Sequence, residues 1–217
     1  MSKEQVSQQN LLRQALGFCG MAMPILNWIF AVIFGGGYNP TGIIIPSISA
    51  CHYYSTSIIF EGLVFSTGMF LICYTGYDIK DRWLSALAGV GALVLVLFPC
   101  YLQGASVRNF MMLPMNVTNV LHAIGALVFF GGLFWILEFQ FTKSGAGTDM
   151  TPRKRLRNRL YKICGWVMLG GLVFGFGGDA LLGRYFGGFV YLGEFIALEA
   201  FGLGWIVKGE FMLKDVE

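Results

Sequence analysis

Apolar residues in this chain come in long runs, not in the strict alternation of a half-buried strand. Crossing the hydrocarbon core of a bilayer takes about 20 largely apolar residues in a helix. Six runs of that kind stand out: Ala15–Gly35, Thr56–Tyr77, Trp83–Leu102, Asn119–Phe141, Tyr161–Leu182 and Phe189–Val207. Alternating segments of about ten residues are absent, which argues against an outer-membrane barrel. The pattern predicts an all-α, polytopic membrane protein: one transmembrane domain over residues 1–217, built as a six-helix bundle. The first run follows a polar start, Ser2 to Gln14, and lacks a small-residue cleavage site. It is expected to stay as a helix and not to be removed as a signal peptide.

Lys and Arg set the expected orientation. With six spans, the termini share a side with the turn Asp78–Arg82 and the loop Thr142–Leu160, and 13 of the 15 basic residues fall there. Only Arg108 and Arg184 fall on the other side, so both termini are expected in the cytoplasm. An odd number of spans would split the basic set. Composition narrows the classes further: 12% of residues are charged, 56% are apolar, and mean hydropathy is +0.65. Too few charges remain to cover a water-facing surface, which disfavours a soluble enzyme, a disordered tail and a nucleic-acid binder.

The outer segments Gly36–Ser55 and Leu102–Thr118 are too apolar for free solvent and are expected at the interface or folded over the bundle. The loop Ser144–Thr151 is rich in Gly, Ser and Thr and leads into the basic run Arg153, Lys154, Arg155, Arg157 and Arg159. That run is a candidate for lipid-headgroup contact, or for fixing orientation alone. Small residues four apart, Gly171 with Gly175 and Gly193 with Ala197 among them, permit close helix packing within one bundle or at a dimer seam. Cys51 and Cys100 both fall on the outer side, where a disulfide is one option. Asn116-Val117-Thr118 has the form of a glycosylation acceptor.

Ionisable groups inside the hydrocarbon are costly and point to function. At 1.5 Å per residue, Glu61 lies roughly 8 Å into the second run, His122 roughly 5 Å into the fourth, Glu194 roughly 8 Å and Glu199 roughly 15 Å into the sixth. With Asp179 and His52, these groups occupy the outer half. Glu61, His122, Glu194 and Glu199 are therefore candidates for a polar cavity open to the outside. The competing reading has Glu61 and Glu194 snorkelling, with His122 and Glu199 bonded to neighbouring helices. Glu194 and Glu199 are five residues apart and point about 140° away from each other, so they cannot share one narrow site. His52 and His122 are weak metal candidates, since no H-x-x-x-H spacing accompanies them. No metal and no cofactor is expected. Lys208, at the inner end of the last run, is expected to anchor at the interface.

Several stretches are familiar together: Ser47-Ile48-Ser49-Ala50, then Gly68-x-Phe70-Leu71-x-x-Tyr74-x-Gly76-Tyr77-Asp78-x-x-Asp81, Leu97-Phe98-Pro99, Arg157-Asn158-x-x-Tyr161-x-x-Cys164-Gly165 and Ala200-Phe201-Gly202-x-x-Trp205-x-Val207-Lys208-Gly209-Glu210. Over most of its length the chain resembles a group of uncharacterised bacterial six-span membrane proteins. Its layout is similar, more distantly, to the DRAM-type and lipid-remodelling membrane families. The resemblance implies a fold and a place in a bacterial inner membrane, and no particular reaction. The leading expectation is a non-enzymatic protein that binds lipid or a small ligand in its outer half, with membrane lipids and other membrane subunits as partners. The alternatives are a small transporter or channel using Glu199 and Glu194, and a lipid-modifying hydrolase.

Overall fold

The computed structural model describes residues 3–34, 44–104, 110–143 and 151–214. Tyr38 and the start of the first outer segment, Arg108, and the loop Ser144–Met150 lie outside the described residues. All regular structure among the described residues is helical: α1 (Lys3–Phe34), α2 (Ser57–Cys73), α3 (Ile79–Leu97), α4 (Met115–Trp135), α5 (Pro152–Leu182) and α6 (Phe189–Lys208). Two short 3₁₀ turns, Ser49–Tyr53 and Phe110–Met112, stand before α2 and α4, and α4 runs on into one π-helical turn, Ile136–Gln140.

Among the described residues, four helical stretches are long and apolar enough to cross a membrane: Glu4–Phe34, Met115–Gln140, Pro152–Leu182 and Phe189–Lys208. Helix α2 is apolar but shorter, 17 residues, and α3 carries Lys80, Asp81 and Arg82 in its first turn. Large apolar side chains such as Ile58, Leu127, Val173 and Leu181 are more than two-thirds exposed. A surface this apolar suits a membrane and not water.

The helix bounds differ from the apolar runs: α2 stops at Cys73, short of Tyr77, α3 spans Ile79–Leu97 where Trp83–Leu102 was expected, α4 begins at Met115 before Asn119, and α1 and α5 begin well before their runs. Helix α1 begins at Lys3, so the polar stretch up to Gln14 is helical and extends beyond the apolar run. Helix α5 begins at Pro152, so residues 152–160, expected in a loop, form its first turns. Local chemistry explains that start: the Thr151 hydroxyl accepts from Lys154 N at 3.1 Å, and Pro152 occupies a first-turn position that needs no donor. Helix α3 starts similarly, with the Asp78 carboxylate accepting from Asp81 N at 2.9 Å while Asp81 accepts from Tyr77 N at 3.1 Å.

The helices form a ring. Helix α5 packs extensively on α6, α3 on α4, α1 on α6 and α2 on α3, while α4 against α5 is the least extensive of the neighbouring pairs. Glycine sets the closest approach. A Cβ added at Gly193 would stand 2.5 Å from the Gly171 carbonyl oxygen and 2.6 Å from Gly175 Cα, so α5 and α6 touch through backbone. These small residues therefore serve a seam within one chain.

One end of the ring gathers the basic residues. Lys208 is buried there, its ammonium bonded to the Tyr77 hydroxyl and set 4.6 Å from the Tyr77 ring centroid and 5.1 Å from that of Phe141. The expected interface anchor is thus enclosed by aromatic rings instead. Arg157 turns inward to within 3.6 Å of Glu210, while Arg155 and Arg159 face outward. Arg153 donates to the Lys214 carbonyl, and Lys154 to that of Phe141 at 3.2 Å. Lys143 bridges Asp78 at 2.9 Å and Asp81 at 2.5 Å. The π turn brings Gln140 to the same layer, where it donates to the Asp81 carbonyl at 3.1 Å.

Candidate functional site

At the opposite end of the ring, the segment from Ile44 to Thr56 folds into the helices and does not lie over them. Ile45, Ile48, Ala50 and Cys51 are all at most 2% exposed. Burying that much backbone requires partners for its N–H and C=O groups. The first turns of α6 supply them: Tyr191 N donates to the Pro46 carbonyl at 3.1 Å, and Glu194 Oε2 accepts from Ile48 N at 2.5 Å. Ser49 adds its backbone N–H and its hydroxyl to the same carboxylate. Glu194 therefore points inward and does not snorkel.

His52 ties this segment to two further helices. Its Nε2 lies 2.9 Å from the Leu95 carbonyl and its Nδ1 3.1 Å from Glu61 Oε1. A carbonyl only accepts, so Nε2 carries a proton; the contact with Glu61 needs a second one, on Nδ1 or on the carboxyl. His122 Nδ1 lies 2.7 Å from the Phe98 carbonyl and must donate to it, leaving Nε2 as the ring's remaining polar atom. The two imidazoles stand 6.3 Å apart, centroid to centroid.

His122 and Glu194 border a cavity of about 490 Å³ that reaches down between α4 and α5. Its end nearest the segment from Ile44 to Thr56 is polar, with Ser47, Ser49, Asn119, His122 and Glu194. Its body is apolar, formed by such residues as Phe60, Val64, Phe129, Leu172 and Leu198. No Lys or Arg is among the described residues lining it. The size falls within the roughly 300–1,000 Å³ common to small-molecule sites.

Of the residues singled out from sequence, His122 and Glu194 line this cavity; Glu61 does not, and pairs instead with His52, whose ring packs on the cavity-lining Phe60. Glu199 does not: it is partly exposed on α6, its Oε1 is buried without a partner, and it makes no bond to His122 among the described residues. Asp179 is exposed. Cys51 and Cys100 are both free thiols, so no disulfide joins them. Around His52 and His122 no three His, Cys, Asp or Glu residues converge among the described residues, and three of the four imidazole nitrogens have hydrogen-bond partners.

Sequence reasoning passed over Ser47, Ser49 and Asn119 as site residues, and Asn27 altogether. Asn27 is fully buried in α1, one turn from the cavity-lining Met23, with neither side-chain polar atom partnered among the described residues. A lone amide inside an apolar run was the available signal, by the same reasoning that singled out Glu199. The chain matches no family model, no curated protein and no solved structure.

Proposed function

We propose that the chain is a six-span integral membrane protein of a bacterial inner membrane, with both termini cytoplasmic, that binds a lipid or small amphipathic ligand in its outer-half cavity. Helices α2 and α3, at 17 and 19 residues, complete the six. At 1.5 Å per residue they extend roughly 26 and 28 Å, close to the ~30 Å hydrocarbon core. The skewed distribution of Lys and Arg supports the orientation. On the cytoplasmic side, Arg159 and Lys162 border an exposed apolar strip of Ile163, Trp166 and Val167, an arrangement suited to anionic headgroups above acyl chains.

The observation that carries the binding reading is the cavity itself, polar at one end and apolar along its length. Its polar groups are tied to backbone: Glu194 to Ile48, His122 to Phe98. Groups so held are fixed in place to position a ligand. Glu199 stands away from the cavity, which favours binding over a carboxylate-lined path.

The test is native mass spectrometry of protein released from mild detergent. Wild type should retain one ligand per chain, and Ala126→Phe, which fills the cavity body, should lose it. Empty wild-type protein whose Tm no lipid extract raises would defeat the reading.

A further inference from the structure

We infer that the cavity takes one acyl chain of a membrane lipid sideways, through the seam between α4 and α5, and selects a head that is uncharged or cationic and donates hydrogen bonds. This rests on the binding reading and specifies its ligand.

The seam is closed only at its inner end. There Phe134 meets Trp166 edge-on at 5.4 Å, and Lys162 pairs with Glu138 at 3.3 Å. Farther out, the cavity separates the two helices. Ala123, Leu127 and Gly131 of α4 and Phe176 of α5 both line the cavity and are exposed on the outer surface of the ring. A residue that does both marks an opening. The rim is wholly apolar and lies on two helices long enough to cross a membrane, so the opening faces acyl chains. A polar solute would have to leave water to use it.

Size and charge narrow the class. At a water's share of about 30 Å³, the cavity has room for about sixteen groups of that size. That suits one chain and a small head; a two-chain phospholipid needs several times more. The head would meet Glu194, His122, Asn119, Ser47 and Ser49, one carboxylate with no cation among the described lining residues to balance a phosphate. Bringing an anionic head beside a buried carboxylate is unfavourable, whereas a hydroxyl or amine finds acceptors. Long-chain alcohols, long-chain amines and monoacylglycerols fit this description.

Gly131 provides the decisive variant, because a Cβ there meets nothing within 4 Å. Gly131→Trp places an indole in the opening without disturbing backbone. Gly170, whose Cβ is equally unobstructed, is exposed on α5 and does not line the cavity, so Gly170→Trp is the control. The full chain is reconstituted in phosphatidylcholine nanodiscs with a monoacylglycerol or with the lysophosphatidic acid of the same chain, and retained lipid is counted by native mass spectrometry. Monoacylglycerol should be retained at one per chain and at least tenfold over the anionic lysolipid. Gly131→Trp should lower that retention at least tenfold with unchanged Tm, and Gly170→Trp should not. Equal retention of the two lipids, or full retention in Gly131→Trp, would overturn the inference. If wild type retains neither lipid but holds a short-chain, water-soluble glycerol ester, the lipid assignment fails while the cavity remains a binding site. Retention of none of the three removes both.

Discussion

The α5–α6 seam gives a prediction whose sign depends on position alone. Gly193 and Gly170 are both helical glycines, on the two helices that pack most closely. Exchanging either for alanine adds one methyl group and about 1 kcal/mol of helix propensity. At Gly170 nothing stands within 4 Å of the new Cβ, so the propensity gain is unopposed. At Gly193 the Cβ would meet the Gly171 carbonyl oxygen at 2.5 Å, Gly175 Cα at 2.6 Å and Gly175 N at 2.9 Å. All three are backbone atoms, which no rotamer change can move. Reaching ordinary contact requires the helices to separate by about 1 Å, and overpacking of this kind costs about 1–3 kcal/mol, here at the upper end. Net, Gly193→Ala should lose about 2 kcal/mol and Gly170→Ala gain up to about 1. For a chain of this length the two midpoints should then differ by roughly 6–12 °C. Thermal unfolding of both variants in one detergent, followed by circular dichroism, measures it. Shifts of the same sign and size would refute the backbone-contact account of the seam.

Three further outcomes are expected. Lys208→Met, which keeps the buried stem and removes a charge that burial disfavours first, that Lys154, Arg13 and Arg157 oppose and that Glu210 favours, should change stability by less than about 1 kcal/mol or raise it. Lys208→Ala should cost roughly 2–3 kcal/mol through lost methylenes and a void, and chemical denaturation giving equal losses would refute this. The Asp81 backbone N–H, followed by Lys143, holds the Asp78 carboxyl below its usual 3.8, so its contribution exists above that value and is lost as pH falls through the lower folded one. Burial works against the Lys143 charge, but its bonds to Asp81 and Asp78 raise it above the usual 10.5, so its contribution is lost only as pH rises through that higher value. The Tm difference between wild type and Lys143→Met should therefore be level between those limits and shrink beyond each. Finally, a cysteine replacing Arg184 should react with an impermeant maleimide from outside intact cells and one replacing Lys214 only after lysis; the reverse would overturn the proposed orientation.

The apolar runs revealed the six helices because a bilayer demands continuous apolar length, a signal carried within each segment. Their ends were hidden where helix continues through charged turns, as over Lys3–Gln14 and 152–160. The Thr151-Pro152 pair, a cap followed by a first-turn proline, was the available signal for the second. His122 and Glu194 were readable as candidates because burying such groups is costly, whatever their surroundings. What they bond to was not readable. Ile48 and Glu194 are 146 residues apart, and Lys208 is enclosed by rings from the α2–α3 turn, the end of the π turn and α5. Only the closure of the ring creates those neighbours. It also decides that Arg157 turns inward while Arg155 faces out.

The π turn at Ile136–Gln140 is in effect a one-residue insertion into α4, with the Phe141 N–H reaching back five residues to Ile136 O at 2.9 Å. Each residue of an α-helix advances the facing direction by about 100°, so everything after the insertion is displaced by that amount from an unbroken helix. Phe141 uses this displacement to lie 4.9 Å from Trp205 and 5.3 Å from Tyr161, ring to ring, while Gln140 reaches Asp81. His122 lies four turns upstream and does not depend on it. Deleting Phe139 would therefore restore a regular helix with Phe141 still facing its two rings, because the turn already absorbs the extra residue, and would leave the His122 end of α4 in register. The two ends of one helix are mechanically separable: its length can change by one residue at the inner end without turning the cavity wall.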